Sequence, residues 1–407
     1  MCMGVCGDDT SGSLQGVLEV LNKSIARFAI PVVAGALVLT ACGSDDGGDG
    51  GTTYKIAYQG PLSGQNVGLG ENMQNGVQLA INEANESGDY DFELEYFAAD
   101  DQGSETQATT AAQSAIDDSD VVAVVGPAFS GPTNVSAPLY GQAGLAAVST
   151  SATNPTLTEQ GFPTFLRAVP NDNAQGAAMS DFLASTDGVE SVVVIDDVTP
   201  YGEGLADVAE ADLGSAGLSV TRESVPADTV DYGNAARSVV ESGADALIYA
   251  GYYEALAPFA TRLDEAGYEG IVMSGDGSND DELINLAGGA VDGFYLTCPC
   301  TDATQEEATQ SFAERYEAEF GVAPGTYSAE SYDAANMIIE QIAALNAEGS
   351  VDRTALYEAL AGAEYEGLTK TFSFDENGEF TQQAIYLYQV EGEAIGYVGA
   401  VEELVGG

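Results

Sequence analysis

Three small hydroxyl residues, Ser130, Ser151 and Thr153, fall in a stretch, residues 121–158, without a single charged side chain. The chain around it is strongly acidic: 65 Asp and Glu against 10 Lys and Arg leave a net charge of −55. Hydroxyls beside the unpaired N–H groups of a helix start, expected near Gly131, suit a carboxylate, since an anion at a helix N-terminus gains roughly 0.3–2 kcal/mol. Being neutral, they also accept a zwitterion without bringing a competing charge. Ser/Thr-rich loops serve equally as ordinary caps and turns, so both roles stay open on this ground alone. Composition removes other chemistry. The chain has no His and no Trp, which excludes Ser-His-Asp and Cys-His nucleophile systems, His-ligated zinc and imidazole acid–base work. The "GLG" at 68–70 is too short for a nucleotide loop and no Walker lysine exists. Neither an enzyme nor a cofactor is expected.

The elements that would position these loops alternate regularly. "YKIAYQG", "FELEYFAAD" and "VVAVVG" read as strands, separated by helical "GENMQNGVQLAINEAN" and "SETQATTAAQSAID". "SVVVIDD", "LSVTRESV", "DALIYAG" and "GIVMSG" continue the series, with helices near 201–216, 232–242 and 253–267. An uninterrupted apolar run such as "VVAVVG" suits a strand covered on both faces, so doubly wound parallel sheets are expected. In such sheets ligands sit beyond the carboxyl ends of the strands, where 126–133 and 149–155 fall. Helices at 304–319, 328–348 and 352–362 then lead to "KTFSFDENGEFTQQAIYLYQV", whose Asn377-Gly378 predicts a hairpin. The acids are scattered rather than blocked, which describes a solvated acidic surface suited to high salt and hostile to nucleic acid.

The first fifty residues read as an address. Lys23 and Arg27 precede the apolar run "FAIPVVAGALVLTAC", too short for a permanent span, and "GSDDGGDGG" follows. Leu39-Thr40-Ala41-Cys42 resembles the lipobox of bacterial lipoproteins. That resemblance implies a signal peptide at 1–41, a lipid on Cys42, and a flexible Gly/Asp tether at 42–53 holding the domain to the outer face of the cell membrane. Residues 1–22 place acids ahead of the positive region and read as an over-long gene start, with the true first residue near Val20 or Leu21. Of five Cys, Cys2 and Cys6 lie in that segment. Cys298 and Cys300 lack the further ligands a metal needs, leaving two thiols or, the favoured option in an exported protein, a tight disulfide.

Eight pieces in order, "IAYQGPLSGQN", "VVGPAFSG", "STSATNPTLT", "FLRAVPND", "PYGEGLA", "YAGYYEAL", "MSGDGS" and "SAESYDAANMI", make residues 54–400 resemble the substrate-binding proteins of branched-chain amino-acid ABC transporters, the Leu/Ile/Val type of periplasmic binding protein type I. The resemblance implies two α/β lobes joined by three crossover strands and closing on the ligand like a hinge. Lobe 1 would comprise 54–169 and 300–374, lobe 2 170–299 and 375–407. It assigns the ligand carboxylate to Ser130 and Thr153, and its ammonium to the Ser151 carbonyl and to Asp276, one carbon shorter than the usual Glu. Tyr201 and Tyr252 would meet the ligand from lobe 2, and Leu69 would stand where an aromatic wall is usual. The implied protein is a monomer that hands an amino acid, expected to be branched-chain, to a transporter permease. Relatives on this fold carrying amides, urea or aromatic acids, and modules that sense a ligand without transport, are the alternatives. At the crossover the Cys298–Cys300 pair would stiffen the hinge.

Overall fold

The computed structural model describes residues 52–304, 308–349 and 351–406. The expected signal peptide, Cys42 and most of the tether lie outside them. Thr52 and Thr53, read above as tether, already belong to the first strand.

Two sheets organise the chain. The first orders its strands β2-β1-β3-β4-β5, with β1 Thr52–Gly60, β2 Phe92–Asp100, β3 Val121–Val125, β4 Ala146–Ser149 and β5 Phe165–Arg167. All of its pairings are parallel. The five residues of β3 are fully covered, as their unbroken apolar run requires. The second sheet contains β6 Ser191–Asp196, β7 Ser219–Ser224, β8 Ala246–Ala250, β9 Ile271–Ser274 and β10 Tyr295–Cys298. After a small pair, β11 Tyr365–Glu366 and β12 Thr371–Phe372, the chain returns with β13 Tyr386–Glu391 and β14 Ala394–Ala400. The resulting order is β14-β13-β10-β9-β8-β6-β7. Only β13 and β14 run antiparallel, β13 against β10 and β14 against β13. The α/β class with parallel, doubly wound sheets is therefore the one expected.

The chain crosses between the sheets three times: after β5, after β10, and again before β13. After β10 it forms the helix Ser328–Glu348, which packs on the helix Val67–Ser87 against the first sheet. Gly76 permits that approach, because a Cβ there would stand 2.2 Å from the Ser328 carbonyl oxygen. Gly126, at φ 114°, similarly lays the 126–129 loop on β1, where a Cβ would meet the Gln59 carbonyl oxygen at 2.4 Å.

Three details depart from the sequence reading. Helix Asp172–Ser185 was not anticipated, and Gln310–Phe320 begins later than expected. The Asn377-Gly378 turn does not join two full strands. It caps a single bridge between Phe374 and Phe380, with Gly378 at φ 77°, while the hairpin proper is β13–β14. Among the described residues no helix is long and apolar enough to cross a membrane.

Candidate ligand-binding site

The carboxyl ends of the two sheets face one another across a cleft, and loops from both close it. Asn66 donates its backbone N–H to Glu254 Oε1 at 2.7 Å, and Gly68 donates to the Tyr253 hydroxyl at 3.2 Å. Asn154 Nδ2 donates to the Pro200 carbonyl at 2.6 Å and Asn72 Nδ2 to Asp280 Oδ2 at 3.1 Å. Between them remains a nearly filled cavity of about 10 Å³ lined by Leu69, Met73, Phe129, Ser151, Tyr201, Tyr252, Asp276, Gly277 and Tyr327. That is room for about one water, so a larger ligand enters only when the two sides of the cleft move apart.

Asp276 opens the short 3₁₀ turn that follows β9, and it is 4 % exposed. Its Oδ1 accepts from the Tyr201 hydroxyl at 2.8 Å and from Gln175 Nε2 at 2.9 Å, and its Oδ2 accepts from the Tyr327 hydroxyl at 2.8 Å. Burial pushes its carboxyl above the ordinary range, and the three donors oppose that push. Tyr327 reaches it from the far side of the cleft, just ahead of the helix Ser328–Glu348 and at φ 65°. A non-glycine residue in the left-handed region costs of order 1–3 kcal/mol, and the surroundings here hold it there. Tyr252 caps the helix Tyr253–Ala266 and packs between Phe129 and Tyr201 with tilted rings, at centroid distances of 4.5 and 4.9 Å. The cleft thus has an aromatic and thioether wall and an acidic floor.

The hydroxyl side is built by the 126–131 and 149–155 loops. Ser130 begins the helix Ser130–Ala143, and its Oγ accepts from the Asn154 N–H at 3.2 Å. Ser151 Oγ donates to the Ala128 carbonyl at 2.7 Å. The Thr153 hydroxyl is buried without a hydrogen-bond partner. Of the seven residues assigned to the ligand, Leu69, Ser151, Tyr201, Tyr252 and Asp276 line the cavity itself, while Ser130 and Thr153 stand behind it. Phe129, Met73 and Tyr327 had not been assigned. Phe129 immediately precedes an assigned serine and is the N-cap of its helix, but no pattern distinguishes Met73 or Tyr327 from core residues. At the end of β10, Cys298 and Cys300 form the disulfide left as an option, with an S–S distance of 2.00 Å.

Arg167 braces the hydroxyl loop. It is fully buried, and its Nη1 donates to the Ala152 and Asn154 carbonyls at 2.8 and 2.7 Å. Its Nε and Nη2 meet Glu379 at 2.9 and 2.8 Å.

Four further aspartates, Asp101, Asp197, Asp280 and Asp333, are buried, and desolvation pushes each up to about 6 despite the backbone N–H groups that bind them. Their folded pKa values exceed the unfolded value, so the stability they contribute is full below about 3.9 and is lost as pH rises through about 6. Ligand-free protein should accordingly melt at a higher temperature at pH 5 than at pH 8, with most of the change near pH 6. Relief of the acidic surface charge acts in the same direction. A melting temperature that falls monotonically on acidification through this window would contradict the burial of these groups.

A cleft between two parallel α/β sheets, with polar loops at the strand ends and a small cavity where they meet, defines a two-lobed ligand receptor. The chain belongs to the periplasmic binding protein family, whose model matches residues 53–394. It is 28% identical over 338 residues to an amino acid binding protein of Pseudomonas aeruginosa, covering 82% of this chain and 89% of that protein. It is 26% identical over 344 residues to the leucine-, isoleucine-, valine-, threonine- and alanine-binding protein of the same organism, covering 84% and 91%. Among solved structures, the leucine-binding protein LivK of Thermotoga maritima superposes with a TM-score of 0.78 at 27% identity, covering 85% of this chain and 98% of that one. Family and fold are those of substrate-binding proteins, and the family's place is outside the cytoplasm.

Proposed function

We propose that the protein is an extracytoplasmic receptor that captures an amino acid, branched-chain first among candidates, and delivers it to an ABC-transporter permease. The observation that carries this reading is a small cleft cavity with an apolar aromatic wall beside the buried carboxylate of Asp276. Such a site recognises a small molecule with one apolar end and one cationic end. The ligand carboxylate would dock on the Ser130–Thr153 side, where hydroxyls and the start of the helix Ser130–Ala143 offer neutral donors. The ammonium would face the acidic floor around Asp276, and the aliphatic side chain the wall of Leu69, Met73 and Phe129. Lobe 1, residues 54–169 and 300–374, would take the ligand first. Lobe 2, residues 170–299 and 375–407, would then swing in, because buried charges are tolerable only once both ends of the ligand are met. Names of relatives that bind leucine, isoleucine and valine support the ligand class. In this reading the molecule is a monomer tethered through a lipid on Cys42.

A thermal-shift screen of the 20 amino acids, urea, short amides and aromatic acids in molar salt tests it. A ligand at about 100 times its dissociation constant stabilises by ~2.7 kcal/mol, a shift of a few degrees. Leu, Ile and Val are expected to give the largest shifts. Shifts confined to amides or aromatic acids would keep the fold and remove the amino-acid assignment.

A further inference from the structure

Two helices start at the mouth of the cleft, and neither is capped by a side chain of its own. The helix Val67–Ser87, on the first sheet, has Asn66 as its N-cap, at φ 56°, and the Asn66 side chain accepts no N–H of that helix. The helix Tyr253–Ala266, which follows β8 of the second sheet, has Tyr252 as its N-cap, likewise without a side-chain cap bond. The groups left over by one helix are taken up by the other. Asn66 donates its backbone N–H to Glu254 Oε1 at 2.7 Å, and Asn66 Oδ1 accepts the Glu254 N–H at a longer 3.4 Å. Gly68 adds a third bond, from its N–H to the Tyr253 hydroxyl at 3.2 Å.

The first N–H groups of a helix have no partner within it, and an ordinary capping box satisfies two of them reciprocally. The N-cap side chain accepts an N–H of the first turn, and a carboxylate of that turn accepts the N-cap N–H. The same two bonds are made here, but the N-cap belongs to one helix and the carboxylate to another, 188 positions away. Asparagine suits its half of the arrangement, being a strong N-cap that tolerates the left-handed backbone. Asn171, Thr199, Asp280 and Asp352, by contrast, each cap the helix they precede. The Glu254 carboxylate also lies where two helix N-termini meet, so one negative charge faces two positive dipole ends. Other bonds across the cleft are single. Asn72 reaches Asp280, whose second oxygen caps its own helix, and Asn154 reaches only a carbonyl. Leu69, one turn beyond Asn66, and Tyr252, two residues before Glu254, line the cavity.

We infer that Asn66 and Glu254 form a capping box divided between the two lobes, which locks the closed cleft and sets how long a ligand is held. The cap is whole only while the lobes are together, and opening returns both helix starts to water. Neither residue lines the cavity, so both are positioning residues that bring Leu69 and Tyr252 against the ligand. The inference rests on the receptor reading of the cleft and deepens it, assigning retention of the ligand rather than its identity.

The test is calorimetry and stopped-flow kinetics of L-leucine with the whole chain in molar salt. Glu254→Ala should raise the dissociation constant about 10-fold, the size of one lost cap, chiefly through faster dissociation. The ligand-free melting temperature should stay within a few degrees of wild type. Glu254→Gln, which keeps an acceptor oxygen, should remain within about 3-fold. Asn66→Gly keeps the left-handed backbone and removes only the longer bond. It should cost about 3-fold alone and less in the Glu254→Ala background, since the two bonds act as a unit. Wild-type dissociation in Glu254→Ala, or dissociation in Glu254→Gln as fast as in the alanine variant, overturns the divided box. Failure of leucine and every other amino acid to bind overturns the amino-acid reading by itself, and hydrogen exchange then decides the box. The amides of residues 66–68 should exchange about 10-fold faster in Glu254→Ala than in wild type, and equal rates overturn it.

Discussion

Replacing Arg167 with methionine is expected to lower stability by on the order of 3–5 kcal/mol, the usual cost of breaking a buried ion pair from one side. The guanidinium is wholly enclosed, and its fork is matched to both oxygens of Glu379. Methionine fills much of the volume but leaves that carboxylate without its cation, removes the Arg167 donor from the Ala152 carbonyl and leaves the Asn154 carbonyl with the Leu157 N–H. Those carbonyls belong to the loop that carries Ser151 and Thr153, so ligand affinity should fall together with stability. Denaturant unfolding measures the first and calorimetry the second. The double replacement Arg167→Met with Glu379→Gln should recover part of the loss, because the stranded charge is gone. Equal stability of wild type and Arg167→Met would mean that the loop is held without this brace.

Asp276→Ala is expected to reduce ligand affinity by at least about 100-fold, equivalent to roughly 2.7 kcal/mol. The same change should leave the melting temperature of the ligand-free protein within a few degrees of wild type. The affinity loss follows from what the carboxylate joins. Tyr201 and Gln175 reach it from one side and Tyr327 from the other, so its removal strands two hydroxyls and an amide and cuts a contact that spans the closed cleft. The modest effect on melting follows from an offset, since the alanine also relieves a carboxylate held in a place that disfavours its charge. A large drop in melting temperature with unchanged affinity would assign Asp276 to the core instead of the cleft.

Much of this was legible in the residue order. The two-sided burial of β3 follows from "VVAVV" alone, and the alternation of strands and helices led to the parallel sheets. Leu69, Ser151, Tyr201, Tyr252 and Asp276, all named by the sequence motifs, meet at one cavity. The helix Asp172–Ser185 was not legible, for a physical reason. Its covered face includes Asp172, Gln175, Gly176 and Ser180 beside Met179 and Leu183, so the apolar stripe that normally betrays a helix is half polar. Gly176 and Ser180 pack against Val208 and Ala209 of the helix Pro200–Ser215, and Gln175 reaches Asp276. Tyr327 was hidden differently, because its backbone angle and its reach to Asp276 are set by tertiary contacts across 51 positions of sequence.

The placement of β13 and β14 bears on how the molecule is made. They cover the free edge of β10, and the preceding turn supplies Glu379 to Arg167. The second sheet is not finished, nor is the guanidinium neutralised, until the chain has been synthesised almost to residue 400. At about 5–20 residues per second, β13 trails β10 by roughly 5–20 s of translation. During that interval a nascent chain keeps an open edge and an unpaired interior cation, both of which oppose premature folding. For a protein that is to be threaded through a membrane before it folds, as proposed here, late completion of the second sheet and of the Arg167 pair keeps the chain fit to be threaded.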